Sequence, residues 1–436
     1  MSPTRIRTRA WTVVALCTLV VIVEGYDLIV YGALLPDLLK EPGWHLSRAD
    51  AGVIGSYVYA GMLFGALAGG RLCDRFGRRP FINASVAWFA VWTFVCATAQ
   101  APWELSLYRF LAGLGMGAVI PAALALAKEH SKAGRTALVS NVLMGGVPLG
   151  GSAAALIAQS VLPIHGWRTM FGIGGLFSVA VLVGCVVLLP ESREFMNHTQ
   201  TAAAAAQDVP AGGTPDEPRP RASDLFRGSL LALTLLFALA TFTNMLTWYG
   251  INTWLTSLMQ QLHYPLTSAL QFSMTMNLGA VIGSFLAVLG AARWGTRAVS
   301  MACALMTAAG IVGLAMRPDS TSGLMALVVV VGVGGQSSLT MLLASVADAY
   351  PAELRGSAIG WSNGLGRTGA ILAPSLGGWV LATGLGPGAV FGTFAATSAC
   401  SAVVLFALVL LGRSHRGERL APAVPGALAE KAGTRS

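Results

Sequence analysis

Twelve long apolar runs divide this sequence, at about residues 11–39, 49–69, 80–99, 103–127, 136–160, 167–190, 229–258, 267–290, 299–316, 322–347, 357–383 and 388–411. Each is long enough for a membrane helix, which needs roughly 20 mostly apolar residues to cross a bilayer. Short polar links join them. With 55% hydrophobic and only 11% charged residues, the chain lacks the make-up of an ordinary soluble domain. The expected fold class is an all-α membrane protein of twelve transmembrane helices in a lipid bilayer. A cleavable leader is not expected, because the first run is too long, holds charges and is followed by no small-residue cleavage site.

The net charge of +9 is not a nucleic-acid signal; its placement carries the information. With the N-terminus placed inside, 22 of the 28 Lys and Arg fall in inner segments and four (Lys40, Arg48, Arg168, Arg317) in outer loops. Arg109 and Arg367 lie within runs. That asymmetry obeys the positive-inside rule and predicts both termini in the cytoplasm. The six cysteines (Cys17, Cys73, Cys96, Cys185, Cys303, Cys400) are scattered and read as small apolar fillers, not disulfides or metal ligands. No cofactor or metal is expected, and no nucleophile–base constellation suggests an enzyme.

Charges inside the runs are the exceptions that need a reason. Glu24 and Asp27 sit near the middle of the first run, three residues apart, and so on one helix face. A charge at the bilayer centre costs roughly 2.5–3.5 kcal/mol even on the lenient insertion scale. Either the two acids are merely hydrogen-bonded among helices, or they carry protons or ions along a transport path. All six histidines lie in predicted loops or tails, so a proton carrier at this depth has to be a carboxylate. Two acids this close cannot both ionise cheaply. Arg109 starts about 9 Å below the outer end of its run at 1.5 Å per residue. It can reach toward Asp27 or snorkel outward. Arg367 is too deep to snorkel and needs an anion: a helix-one acid in a fixed ion pair, or a substrate carboxylate, which suits the planar guanidinium fork. The seventh run adds Asn244, Tyr249, Asn252 and Trp254, and the tenth Gln336; buried amides need partners.

The link after the second run reads Gly70-Arg71-Leu72-Cys73-Asp74-Arg75-Phe76-Gly77-Arg78-Arg79-Pro80. It closely resembles the signature that the major facilitator superfamily carries between its second and third helices, Gly-x-Leu-x-Asp-Arg-x-Gly-Arg-Arg. Arg109 followed by Gly113, Gly115 and Gly117, and the sixth-run ending Pro190-Glu191-Ser192, are similar to further patterns of that superfamily. The chain also repeats itself. Asp74-Arg75-Phe76-Gly77-Arg78-Arg79 returns as Ala292-Arg293-Trp294-Gly295-Thr296-Arg297, 218 residues on, and Arg135 and Gly146 return as Arg355 and Gly366, 220 residues on. This implies two pseudo-symmetric six-helix halves with a site between them at midplane. They are expected at 1–193 and 227–412, joined by a small, polar, Pro-rich cytoplasmic linker at 194–226 and followed by a cytoplasmic tail at 413–436. The resemblance gives Asp74, Arg75, Gly77 and Arg78 a role in gating the inner side.

Three runs resemble the aromatic acid:proton symporter branch: Glu24-Gly25-Tyr26-Asp27, Tyr249 to Leu255, and Gly364 to Ala370. That branch usually has aspartate where Glu24 stands. The resemblance implies a monomer in a bacterial cytoplasmic membrane that imports a benzoate- or hydroxybenzoate-like acid with protons. Asp27, Glu24 and Arg109 would couple protons. Arg367, Tyr31, Tyr249, Asn252, Trp254, Asn244 and Gln336 would bind substrate. Alternatives are a symporter of another small organic acid or a sugar, a drug:proton antiporter, and a transporter-like receptor.

Overall fold

The computed structural model describes residues 3–132, 134–192, 222–316 and 320–420. Most of the expected linker (194–221) and the end of the expected tail (421–436) lie outside the described residues. The elements are α1 Pro3–Leu38, α2 Arg48–Phe76, α3 Arg78–Cys96, α4 Pro102–Met116, α5 Val119–Glu129, α6 Thr136–Met144 and α7 Gly146–Leu188. A 3-10 turn at Ala222–Phe226 then leads into α8 Gly228–Gln261, α9 Leu266–Trp294, α10 Thr296–Ala315, α11 Thr321–Ala349, α12 Ala352–Ala382 and α13 Pro387–Leu420.

Nine helical stretches among the described residues are long and apolar enough to cross a membrane. One of them, Leu138–Leu188, is two crossings, because Gly166 leaves helical geometry (φ 71°, ψ 179°). The remaining two crossings are α3, which opens on Arg78-Arg79, and α12, which carries Arg367 and so reads less apolar. The twelve expected spans are therefore present, with three differences of detail. The fourth span is broken into α4 and α5 around Gly117 and Ala118. The first helix starts at Pro3, well before the apolar run. The last helix continues to Leu420, into the segment read as tail.

The sequence repeat has a structural counterpart. Gly77 joins α2 to α3 at φ 91°, ψ 162°, and Gly295 joins α9 to α10 at φ 83°, ψ 157°. Both turns need positive φ, which glycine adopts without a Cβ penalty. The α2 start is fixed by a capping box, Ser47 and Asp50 bonding each other's backbone N–H at 3.1 Å, which satisfies two of the orphan donors of a helix N-terminus.

Lipid offers no hydrophobic drive between helices, so small residues set their approach. α1 lies against α7, where a Cβ at Gly150 would strike the Ile22 carbonyl and one at Gly25 the Val147 backbone. α2 meets α4 in the same way through Gly61, Gly65 and Gly113. The first six spans meet the last six along three seams. In the α2–α12 seam, Gly52 abuts Pro374 and the Ser56 and Ser375 hydroxyls bond at 2.8 Å. In the α1–α8 seam, Gly32 abuts Asn252 and Thr253. In the α7–α9 seam, Ser152 donates to the Met274 carbonyl at 3.4 Å. The α2–α12 and α1–α8 contacts lie toward the ends of the spans that join links 39–47, 262–265 and 383–386.

Replacing Gly150 by Val is expected to destabilise the protein by about 1–3 kcal/mol or more, the usual range for overpacking. Gly172 faces open space, so Gly172→Ala should be neutral or stabilising by up to about 1 kcal/mol, the Gly–Ala difference in helix propensity. Unfolding of both variants in detergent checks the contrast.

Candidate functional site

α1 runs through the centre of the molecule and is buried almost continuously from Val20 to Pro36. Both of its mid-membrane acids are sealed: Glu24 is 0% and Asp27 2% exposed. Asp27 is held from two sides. The Thr93 hydroxyl on α3 donates to its Oδ1 at 2.9 Å. Arg109 on α4 places Nη1 3.5 Å from Oδ2 and donates to the Asp27 carbonyl at 3.2 Å. Arg109 is itself 1% exposed, so it does not snorkel. Its guanidinium lies over the rings of Tyr31 (5.1 Å to the centroid) and Phe171 (5.8 Å), a desolvated cation–π arrangement worth about 2 kcal/mol. Tyr31 is fixed beneath it by donating its hydroxyl to the Ala51 carbonyl at 2.5 Å.

Among the described residues, Glu24, one turn away, finds no hydrogen-bond partner for either carboxylate oxygen, and Arg109 keeps Nε and Nη2 unspent. Glu24 instead feels the charges of Arg367 and Asp27. Arg367, on α12, is half-buried. Its Nη2 donates to the Gly117 carbonyl at 3.2 Å, and Tyr249 and Glu24 are its electrostatic neighbours. The two acids of α1 thus address different arginines, Asp27 in direct contact and Glu24 at longer range. Tyr249 brings a ring to this group, 4.8 Å from the ring of Tyr59 on α2. The Thr253 hydroxyl donates to the Tyr249 carbonyl at 2.8 Å.

The other polar candidates are distributed more widely. Asn252 accepts from Asn277 at 3.1 Å and donates to the Trp248 carbonyl at 3.0 Å, tying α8 to α9. Asn244 donates to the Ser338 hydroxyl at 2.7 Å and, among the described residues, leaves its Oδ1 without a partner. Gln336 is buried on α11. Trp254 is fully buried in the α8–α12 seam, its indole N–H donated to the Pro374 carbonyl at 2.9 Å. Sequence reasoning did not single out Thr93 or Phe171 as partners. The signal for Thr93 was present, as one of three hydroxyls (with Ser85 and Thr98) in the apolar run 80–99. Phe171 gave none, since a phenylalanine in an apolar run is indistinguishable from lipid-facing or core residues.

A sequence profile described as Major Facilitator Superfamily matches residues 17–292 and 238–433. The chain belongs to this superfamily. It is 38% identical to a gentisate transporter of Corynebacterium glutamicum over 91% of this chain and 86% of that protein. It is 31% identical to a benzoate transport protein of Acinetobacter baylyi over 85% and 83%. Among solved structures it resembles a D-xylose-proton symporter with a TM-score of 0.72 and 16% identity, covering 91% of this chain and 97% of that one. The protein is therefore a multi-pass membrane transporter of the major facilitator fold, not an enzyme.

The superfamily's link between the second and third spans is held by two glutamates from elsewhere in the chain. Glu191, from the Pro-Glu-Ser ending, accepts the backbone N–H groups of Arg78 and Arg79 at 3.0 and 3.1 Å, a carboxylate at the positive end of α3. Glu129 forms an ion pair with Arg78 and accepts from Ser192 at 2.8 Å. Asp74 and Arg75 are exposed, and the Arg75 guanidinium lies 5.5 Å from the centroid of the Phe76 ring.

Arg109→Ala leaves a buried, unpaired Asp27 and is expected to destabilise by about 3–5 kcal/mol, as for other broken buried pairs. Adding Asp27→Asn should recover most of that loss. Unfolding of the single and double variants in the same detergent measures the coupling.

Proposed function

We propose that this transporter carries an aromatic carboxylate, benzoate- or hydroxybenzoate-like, into the cell together with protons. The carrying observation is the arrangement of two sealed acids on α1 facing two arginines on different helices. The names of its relatives, for gentisate and benzoate, supply the substrate class. The charge asymmetry supports cytoplasmic termini and a bacterial cytoplasmic membrane. In that orientation the α1–α8 and α2–α12 seams lie toward the outer ends of the spans.

The mechanism follows from where the charges sit. A proton arriving at Asp27 removes its charge and loosens the hold of Arg109. Glu24 is the second carboxylate of the proton path. The substrate carboxylate pairs with Arg367, whose fork binds both oxygens, and the ring lies against Tyr249 and its neighbour Tyr59. Tyr31 acts through Arg109 as its platform. Asn252, Asn244 and Gln336 offer polar contacts to ring substituents, and Trp254 acts through the outer seam. One proton and one carboxylate enter together, so the net charge of the site is unchanged and the halves can rock about it. The Gly77 turn and Arg78 anchor the inner link. Asp74 and Arg75 complete the inner gate when that side closes. A sugar offers no anion for Arg367.

In proteoliposomes, an inward proton gradient should drive accumulation of at least one of radiolabelled benzoate, 4-hydroxybenzoate and gentisate. Asp27→Asn should abolish gradient-driven accumulation. Arg367→Ala should weaken apparent affinity at least tenfold. Accumulation that persists in Asp27→Asn refutes the coupling role, and no uptake of any aromatic acid by folded protein refutes the substrate class.

A further inference from the structure

The break in the fourth span has a chemical cause. In a continuous helix the carbonyl of Gly117 would accept the N–H of residue 121. Residue 121 is proline, which has no N–H to give. The carbonyl of Gly117 is left open inside the membrane, where a polar backbone group needs a partner. Ala118 beside it departs from helical geometry at φ −117°, ψ 1°. The partner comes from 250 residues away: Nη2 of Arg367, at 3.2 Å. The contact joins α12 to the α4–α5 break and so bridges the first six spans to the last six, away from the three glycine and serine seams.

We infer that the Gly117 carbonyl, freed by Pro121, is the resting acceptor of Arg367 and stands in for the substrate carboxylate until substrate arrives. This rests on the proposed role of Arg367 as the carboxylate's partner. A guanidinium at this depth cannot stay unbonded. If its resting partner were the nearby Glu24, a full charge would already occupy it and the substrate would have to displace an ion pair. A neutral carbonyl satisfies the hydrogen bond without neutralising the charge. A carboxylate then wins the exchange, because charge-assisted bonds are about twice as strong as those to a neutral acceptor. A neutral ligand of the same shape gains no such advantage. Pro121 and the Gly117 carbonyl thus act through Arg367, as a resting competitor that a carboxylate displaces more readily than a neutral ligand does.

The test uses the full chain in lipid nanodiscs. Pro121→Ala and Pro121→Gly both return an N–H to the Gly117 carbonyl and weaken its hold on Arg367. Benzoate and gentisate, titrated calorimetrically, should bind three- to tenfold more tightly to both variants than to the parent protein. A second measurement needs no ligand. Arg367→Ala should lower the melting temperature of the parent protein by several degrees, and by clearly less in the Pro121→Ala background. Unchanged or weaker binding in both proline variants, together with additive melting shifts, overturns the resting contact while leaving Arg367 as the carboxylate's partner. If the parent protein binds neither acid, the substrate reading falls and the stand-in role falls with it. The melting cycle then measures only the contact between α12 and the α4–α5 break.

Discussion

The ion pair between Asp27 and Arg109 is the interaction on which the first half of the molecule depends. Neither charge survives alone in hydrocarbon, and each is nearly inaccessible. The effective penalty for burying an ion is several kcal/mol, and only good geometry with added hydrogen bonds offsets it. That requirement recruits the neighbours. Thr93 satisfies one carboxylate oxygen, Tyr31 and Phe171 flank the guanidinium, and the Ala51 carbonyl fixes Tyr31. Five helices, α1, α2, α3, α4 and α7, are therefore brought together around one pair of charges. Adding a proton to one member changes the energetics of all of them, which makes a chemical event a structural one.

The second arginine is built on a different plan. Arg109 is sealed and faces a full negative charge, whereas Arg367 is half-buried and bonded to a neutral carbonyl. The first arrangement suits a group that answers a proton. The second suits a group that waits for an anion. Pro121 makes the difference, since a residue with an N–H would have kept the Gly117 carbonyl within its own helix. A single missing hydrogen bond in one half is in this way turned into a contact with the other.

Glycine and serine seams permit movement around these charges. At the seams the halves meet through backbone carbonyls, glycine faces and small hydroxyls. Van der Waals packing of that kind is close but not deep. At the link between α2 and α3, by contrast, Glu191 and Glu129 clamp the start of α3 with charge-assisted bonds. The first half thus carries a charge-clamped corner at the start of α3 and small-residue seams against the second half.

Much of this was legible before any fold was known. The bilayer obliges each span to satisfy its own backbone, so helices announce themselves locally as apolar runs. The twelve spans, the exceptional acids Glu24 and Asp27, the arginines Arg109 and Arg367, and the repeated turn at Gly77 and Gly295 could all be read from residues and spacing. What spacing could not give was partnership. That Asp27 takes Arg109 while Glu24 faces Arg367, that Thr93 completes the first pair, that Tyr59 comes to Tyr249, and that Trp254 belongs to a seam all depend on how far each helix slides and turns against its neighbours. Those offsets are set by close contacts between residues hundreds of positions apart, such as Gly52 with Pro374 or Arg367 with the Gly117 carbonyl. Hydrophobic periodicity reports which face of a helix is apolar; it holds no information about the depth at which two such faces meet.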